Sequence, residues 1–219
     1  MTLEATLEKL NIAYNLIYIS PLFSKIDSLD TNYIPQDAQR SVFKIAEQNP
    51  TADVRLWVDS RRMTPAQLKR LEKEIKIKSN LTLQDLCSVP EYQQTPLFKE
   101  EDNSIDWRGN SGSLIWRQVD AARILATLAG NYKQSFYSDL DIINLRVSSV
   151  NVQDKLNKVG LILGGGVDEK SGHIWFENQL FGFNQDKKSL FSELYSATLN
   201  YFNRTVNKNG YRRYLDFFN

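Results

Sequence analysis

Two aspartates at the end of a strand-like segment have the side chains needed to bind a metal ion. Asp139 and Asp141 are separated by one leucine and follow "QSFYS", whose alternating pattern predicts a strand. Side chains one residue apart on an extended chain point to opposite sides, so the chain must turn if both are to face one ion. Carboxylates suit Mg²⁺ or Mn²⁺, and two of them leave positions open for phosphate oxygens. The pair indicates either a metal and diphosphate site or the solvated end of a strand.

Asp120 and Arg123 form a second pair of charged residues, within the segment "IWRQVDAARILATLAGNY". Its apolar residues recur at helical spacing and Gly130 suits the C-terminal cap, so the segment predicts an amphipathic helix. Residues three apart lie on one face of a helix. The pair is interpreted either as a surface ion pair, which contributes little stability, or as a ligand-binding pair that reaches the edge of a sheet.

Composition limits the kinds of site that the chain can build. The formal net charge is +1, which gives no reason to expect a nucleic-acid partner. Cys87 and His173 are the only cysteine and histidine, which excludes a disulfide framework, a cysteine-based zinc site and a histidine-rich metal site. A Ser-His-Asp arrangement is also disfavoured. Neither a signal peptide nor an apolar run of about 18 residues is present, so a soluble, single-domain protein spanning 1–219 is expected.

Segments with strand and helix patterns alternate along the chain. Strands are predicted at "YNLIYIS", "ADVRLWVDS", "QSFYS" and "NKVGLILGGG", and a strand with a turn at "GHIWFENQLFGFN". Helices are predicted over 34–50, 115–132 and 186–204, and a further helix is predicted to begin at a capping box formed by Thr64 and Gln67. A short helix capped by Thr82 is predicted at "LTLQDLC", and a loop is predicted over 91–112. This alternation predicts an α/β fold with a mostly parallel central sheet flanked by helices, which binds ligands at the carboxyl ends of its strands.

The helix and strand that carry the charged pairs resemble a known unit. "WRQVDAARILATLAGNYKQSFYSDLDI" is similar to the helix–strand unit of the DXD sugar-nucleotide glycosyltransferases, above all to the glucosyltransferase domain of the large clostridial toxins and related bacterial effectors. The chain supplies Asp120, Arg123, Asp139 and Asp141 in the order of that family. The resemblance implies a GT-A-type nucleotide-sugar-binding fold.

Other segments extend the resemblance over about 14–203. "NLIYIS" matches the family's first strand, in which an aromatic residue stacks on the donor uracil, so Tyr18 and its neighbour Ile19 are implied to bind the nucleotide. "DTNYIPQ" resembles an asparagine-containing segment and makes Asn32 a candidate contact. "VRLWVDS" matches the second strand, and "ENQLFGFN" implies that Glu177 and Asn178 lie near the sugar pocket.

The resemblance implies an activity and a role for each residue. The chain is expected to be a metal-dependent, retaining glycosyltransferase that moves glucose or N-acetylglucosamine from a UDP-sugar to a protein, glycan or lipid acceptor. Asp141, helped by Asp139, is implied to bind Mn²⁺ or Mg²⁺, and Asp139 is also implied to contact the ribose and sugar of the donor. Asp120 and Arg123 are implied to hold hydroxyls of the sugar, with Arg123 also near the diphosphate. Likeness to effectors implies synthesis in a bacterial cytoplasm and export into a host cell without a cleaved signal.

Two alternatives stay open. The connection between helix and strand departs from the family, and no Ser-x-Trp motif follows Phe202, which fits a catalytically inactive relative that serves as an interaction or regulatory module. A cation-dependent phosphohydrolase is the weaker alternative, because no further acidic cluster supplies a second metal site. The glycines 164–166 are expected to form a tight turn near the donor sugar, and Cys87 to be a small buried residue.

Overall fold

The computed structural model describes residues 11–19, 34–95, 112–140, 149–167, 171, 174–193 and 196–197. Within them lie six strands and five α-helices. The strands are β1 (Ile12–Tyr18), β2 (Asp53–Val58), β3 (Leu81–Asp85), β4 (Gln134–Ser138), β5 (Leu161–Val167) and β6 (Ile174–Asn184). The helices are α1 (Gln36–Gln48), α2 (Pro65–Ile75), α3 (Pro90–Gln93), α4 (Gly112–Leu128) and α5 (Ser149–Val159), with short 3₁₀ turns at Ser60–Arg62, Leu86–Ser88 and Gln185–Lys187.

The strands form one mostly parallel sheet in the order β3-β2-β1-β4-β6-β5. β1 pairs in parallel with β2 and β4, and β2 pairs in parallel with β3. β6 runs antiparallel to its neighbours β4 and β5. Tyr18 lies opposite Val58, and Val58 lies opposite Asp85, so the carboxyl ends of β1, β2 and β3 form one edge. The predicted α/β architecture is confirmed.

Helices cover both faces of the sheet because its strands carry apolar side chains on both sides. One face packs against α1, α2 and α5, and its buried residues include Leu16, Val42, Ile45, Leu71, Ile75 and Leu156. The other face packs against α4, α3 and the helical residues 188–193, and includes Ile17, Trp57, Tyr92, Leu125, Tyr137 and Phe191. A sheet buried on both faces is typical of parallel α/β folds.

A buried polar network fixes the C-terminal part of α4 on the second face. Asn15 donates to the Ser135 Oγ at 3.0 Å, and the Ser135 hydroxyl donates to the Thr127 carbonyl at 2.7 Å. Arg55 donates to the Ala129 carbonyl at 2.7 Å, and its guanidinium lies over the Trp57 ring. Because buried polar groups need hydrogen-bond partners, these hydrogen bonds restrict the position of the helix on the sheet.

The helix signals in the sequence are confirmed at α2 and α4. At the start of α2 the Thr64 hydroxyl accepts from the Gln67 amide at 3.2 Å, and the Gln67 side chain accepts from the Thr64 amide at 2.9 Å. This is the predicted capping box. After α4, Gly130 has φ +91°, a conformation that favours glycine.

The short helix predicted at "LTLQDLC" is wrong, because this segment forms β3 and a 3₁₀ turn. Leu81 and Leu83 alternate with polar residues, and pairing with β2 selects the extended conformation over the helical one. The Thr82 hydroxyl donates to the Asp53 carboxylate at 3.3 Å, whereas Asp85 caps the turn by accepting from the Cys87 amide at 2.9 Å. Cys87 is half-buried, not fully buried as expected.

The glycine run also differs from its prediction. Residues 164–166 continue β5 and pair with β6 residues 175–177, with a register irregularity between Leu163 and Gly164. The pairing extends because β6 is a single strand of 11 residues, where a strand and a turn were predicted. The predicted loop over 91–112 begins with α3. In the last predicted helix, over 186–204, Leu190 is 48% exposed, while its neighbour Phe191 is buried.

Replacing Gly182 by alanine is expected to destabilise the sheet by about 2–3 kcal/mol, within the range for overpacked cores. A Cβ atom at this position would lie 2.5 Å from the Phe136 Cβ and 2.9 Å from the Ser135 carbonyl oxygen, so β4 and β6 would have to separate. Urea unfolding measures the change. Gly165→Ala, at an exposed position of β5, is the control and should leave the unfolding midpoint nearly unchanged. Equal effects of the two substitutions would contradict the prediction.

Candidate functional site

Arg123 bridges two carboxylates at the carboxyl edge of the sheet. Its Nη2 lies 2.9 Å from the Asp139 Oδ1, and its Nη1 lies 3.3 Å from the Asp120 Oδ1. The three side chains are 12–17% accessible to solvent. Three residues that the sequence analysis selected from two separate segments therefore meet in one partly buried cluster.

The local sequences explain how these side chains meet. Asp120 and Arg123 share one face of α4 because they are three residues apart. Ala121, Ala122 and Ala126 are almost fully buried, and their small side chains let the helix lie close to β1 and β4. Asp139 follows β4 directly, and its amide donates to the Gln179 carbonyl of β6 at 2.8 Å. β6 thus fixes the backbone from which the carboxylate projects.

Tyr137 belongs to the same cluster, and the sequence analysis missed it. Its hydroxyl donates to the Asp139 Oδ1, and the guanidinium carbon of Arg123 lies 5.4 Å from the centre of its ring. Burial raises the pKa of Tyr137 well above its usual value, and the Asp139 carboxylate raises it further, so the hydroxyl stays a neutral donor. The available signal was its position two residues before Asp139, since such side chains share one side of a strand.

The cluster has a negative formal charge. Burial lowers the pKa of Arg123, but Tyr137 and the carboxylates of Asp139 and Asp120 raise it above the ordinary value, so the guanidinium stays charged. Two ionised carboxylates and one guanidinium sum to −1. A cluster of this charge attracts cations, while Arg123 presents a planar fork of donors suited to phosphate or sugar oxygens.

The remaining predicted site residues differ in what the structure says about them. Tyr18 ends β1, one strand away from Asp139, and is half-buried, which raises its pKa. Ile19 follows it and is buried. Asn32 and Asp141 lie outside the described residues. For Glu177 and Asn178 only the backbone is described, within β6.

A divalent metal fits the chemistry of Asp139 but requires further ligands. Within the described ranges, no group of three or more histidine, cysteine, aspartate or glutamate side chains is placed to hold a metal ion. Asp139 offers the carboxylate oxygen that Mg²⁺ and Mn²⁺ prefer. Ions of this kind commonly use one or two protein carboxylates and complete their coordination with substrate phosphates and water.

Asp59, at the same edge, is the centre of a structural cluster. We use the name Asp59 cluster for Asp59 together with Arg61, Cys87 and Tyr92. The Asp59 side chain is fully buried and accepts from the Arg61 Nε at 3.0 Å and Nη2 at 2.6 Å, from the Tyr92 hydroxyl at 2.9 Å and from the Cys87 Sγ at 3.2 Å. Burial raises its pKa, but the hydrogen bonds and charge of Arg61 hold the pKa below the ordinary value.

Cys87 is a poor nucleophile in this setting. Burial and the nearby Asp59 carboxylate raise the pKa of its thiol to about 11. Reactive cysteines have a lowered pKa, because the thiolate is the nucleophile.

The carboxyl ends of β2 and β4 carry aspartates with different surroundings. Asp59 is fully buried and accepts several hydrogen bonds, whereas Asp139 is paired and partly accessible.

Comparison with known proteins identifies the fold. No protein-family model matches the chain, and no curated protein matches it significantly. Among solved structures, the PaToxG glycosyltransferase matches with a TM-score of 0.50 and 16% identity, over 90% of this chain and 62% of that one. Mouse xyloside xylosyltransferase 1, in its apo form, matches with a TM-score of 0.48 and 7% identity, over 84% of this chain and 71% of that one.

The similarity to the PaToxG glycosyltransferase bears on the fold alone. The chain has the GT-A-type fold that the sequence resemblance implied, with a six-stranded, mostly parallel sheet between helices. It spans less than two thirds of the PaToxG glycosyltransferase chain. Among the helices of the described residues, none is long and apolar enough to cross a membrane.

Proposed function

We propose that the chain is a glycosyltransferase that transfers a sugar from a nucleotide-sugar donor, a UDP-sugar, to an acceptor. The observation that carries this proposal is the Asp120–Arg123–Asp139 cluster at the carboxyl edge of a GT-A-type sheet. This edge is where open α/β sheets bind their ligands. The cluster combines carboxylates for sugar hydroxyls and a metal with a guanidinium for the diphosphate.

The proposed chemistry is departure of a nucleoside diphosphate followed by attack of an acceptor hydroxyl. Asp139 and Asp141 would hold Mn²⁺ or Mg²⁺, which stabilises the charge that develops on the leaving diphosphate. Arg123 would donate to a phosphate or sugar oxygen, and Asp120 would hold the guanidinium in place and accept from a sugar hydroxyl. Tyr137 would keep the Asp139 carboxylate in one orientation. Tyr18 would stack on the uracil ring, with Ile19 beside it.

The finer assignments follow from the family resemblance and belong to the proposal. The transferred sugar would be glucose or N-acetylglucosamine, with Glu177 and Asn178 near its pocket and Asn32 near the nucleotide. Attack and departure on the same face of the sugar would retain the anomeric configuration. The acceptor would be a protein or glycan, and a host protein if the chain acts as a bacterial effector.

A donor panel tests the proposal. Purified protein with Mn²⁺ is mixed with UDP-glucose, UDP-N-acetylglucosamine and other sugar nucleotides, and hydrolysis and thermal stabilisation are measured. At least one donor is expected to be hydrolysed slowly and to raise the melting temperature, because a ligand that binds only the folded state stabilises it. The Asp139→Asn, Asp141→Asn double variant should lose the Mn²⁺-dependent part of both signals.

A matched control is Asp37→Asn with Asp154→Asn, two aspartates on helices away from the cluster, which should respond as the wild type does. The proposal fails if no donor gives a response, or if the response of the Asp139, Asp141 double variant equals that of the wild type. Partner binding that is independent of metal and survives this double substitution would instead support the inactive interaction module.

A further inference from the structure

The Asp139 carboxylate is already paired with a cation of the protein. Its Oδ1 accepts from the Arg123 Nη2 at 2.9 Å and from the Tyr137 hydroxyl. A divalent ion bound to this carboxylate would lie within a few ångströms of the guanidinium, well inside the Debye length of about 8 Å in physiological salt. The ion and the guanidinium are both positive, and the Arg123 and Asp139 side chains are only 12% and 17% accessible, so solvent screens the repulsion weakly. Pairing with Arg123 and metal binding therefore oppose each other.

Arg123 has a second carboxylate that can keep it within the site. Its Nη1 lies 3.3 Å from the Asp120 Oδ1, on the same face of α4. A guanidinium has five donors in a planar fork, which suits two phosphate oxygens as well as a carboxylate. A diphosphate bound beside α4 can therefore draw the Nη2 away from Asp139 while Asp120 retains the Nη1.

We propose that Arg123 couples the binding of the nucleoside diphosphate to the binding of the metal ion. The guanidinium neutralises Asp139 until diphosphate oxygens take it over, and the carboxylate then binds the metal more tightly. This inference rests on the proposed function, because it requires that the cluster binds both ligands. Coupling is reciprocal by thermodynamic linkage, so the metal must strengthen nucleotide binding by the same factor.

Equilibrium binding measures the coupling without any turnover. Mn²⁺ is titrated into the protein with and without UDP, and free Mn²⁺ is quantified by electron paramagnetic resonance. UDP is expected to tighten Mn²⁺ binding by about tenfold or more, within the usual range for linked ligands. Calorimetric titration of UDP with and without Mn²⁺ should give the same factor. UDP also contributes metal ligands of its own, so the wild-type factor alone does not identify Arg123.

Variants isolate the contribution of Arg123. In Arg123→Met, which removes the cation, Mn²⁺ alone is expected to bind more tightly than in the wild type, and the coupling factor should fall. Arg123→Lys keeps the charge, so Mn²⁺ alone should bind about as weakly as in the wild type. Asp120→Asn removes one of the two carboxylates that pair with Arg123. The guanidinium should then pair more strongly with Asp139, so Mn²⁺ alone should bind more weakly than in the wild type. A merely structural role would weaken Mn²⁺ binding in every variant.

Circular dichroism and urea unfolding identify the variants that fold. If Arg123→Met does not fold, Arg123→Gln, which also removes the cation and should also bind Mn²⁺ alone more tightly than the wild type, keeps the test decisive. Mn²⁺ affinity that is unchanged or weaker in folded Arg123→Met, or unchanged in folded Asp120→Asn, overturns the coupling and leaves the proposed function intact. Absence of Mn²⁺ binding to the wild type, with and without UDP, overturns the metal-dependent function and the coupling together.

Discussion

Arg123→Lys is expected to lower donor turnover by about 100- to 1,000-fold, the range found when one donor to a developing charge is removed. Lysine keeps the positive charge but replaces the planar fork by a single ammonium group, which cannot bridge Asp120 at 3.3 Å and Asp139 at 2.9 Å with the geometry of the guanidinium. Donor and carboxylates would then lose their fixed relative positions. The measurement is the rate of UDP release from the donor that the panel identifies.

Arg70→Lys is the matched control, because it makes the same chemical change on another helix. Arg70 pairs with Glu74 on the surface of α2, where its side chain is 51% accessible, and exposed pairs of this kind contribute little. Its turnover should equal that of the wild type. Comparable rates for Arg123→Lys and Arg70→Lys would show that Arg123 has no part in the reaction.

Asp59→Asn is expected to destabilise the protein by about 3–5 kcal/mol, the usual cost of removing one partner from a buried ion pair. The carboxylate is fully buried, 2.6 Å from the Arg61 Nη2 and 3.8 Å from the Arg62 Nε, and the Arg62 side chain is only 2% accessible. The substitution keeps the shape but removes the negative charge that both guanidinium groups face. Urea unfolding measures the loss. Asp37→Asn, which breaks an exposed pair with Arg40, should leave the unfolding midpoint unchanged.

The stabilising effect of Asp59 should depend on pH in a defined direction. Its pKa in the folded protein lies below the value of about 3.9 expected in the unfolded chain. The contribution of Asp59 to the free energy of unfolding is therefore complete at pH values above its pKa in the unfolded chain. It is lost as the pH falls through the lower pKa of the folded state. The difference in stability between wild type and Asp59→Asn should be constant near neutral pH and shrink below about pH 4. A difference that grows with acidity would exclude this role.

Much of the candidate site was predictable because it depends on local patterns and on strand order. Helical spacing gave α4 and placed Asp120 beside Arg123, while the strand pattern gave β4 and the position of Asp139 after it. A parallel sheet then brings the helix and the strand end together. What the sequence did not provide was the pairing of individual atoms, such as the Tyr137 hydroxyl with Asp139, since those contacts depend on the packing of α4.

Strand pairing explains two of the errors in the fold, and a mostly polar helix sequence explains a third. β3 was mistaken for a helix because its extended conformation is stabilised by pairing with β2, which local propensity does not contain. α5 was not predicted because its sequence is mostly polar, and its buried stripe includes Val152 and Leu156. The glycines of β5 are extended because β6 pairs with them. The predicted strand "ADVRLWVDS" ends at Asp59 and Ser60, but the hydrogen-bond partners of Asp59 include residues up to 33 positions away, which local patterns do not reveal.

The Asp59 cluster makes a large part of this edge a single cooperative unit. One carboxylate binds groups from the turn after β2, from the turn after β3 and from α3, so none of these segments can open alone without breaking a buried hydrogen bond to Asp59. Local opening of any one of them therefore includes the cost of its hydrogen bond to Asp59. These three segments should therefore form a rigid support beside β1. Under the proposed function, the motion that admits and releases a donor would come from other parts of the chain.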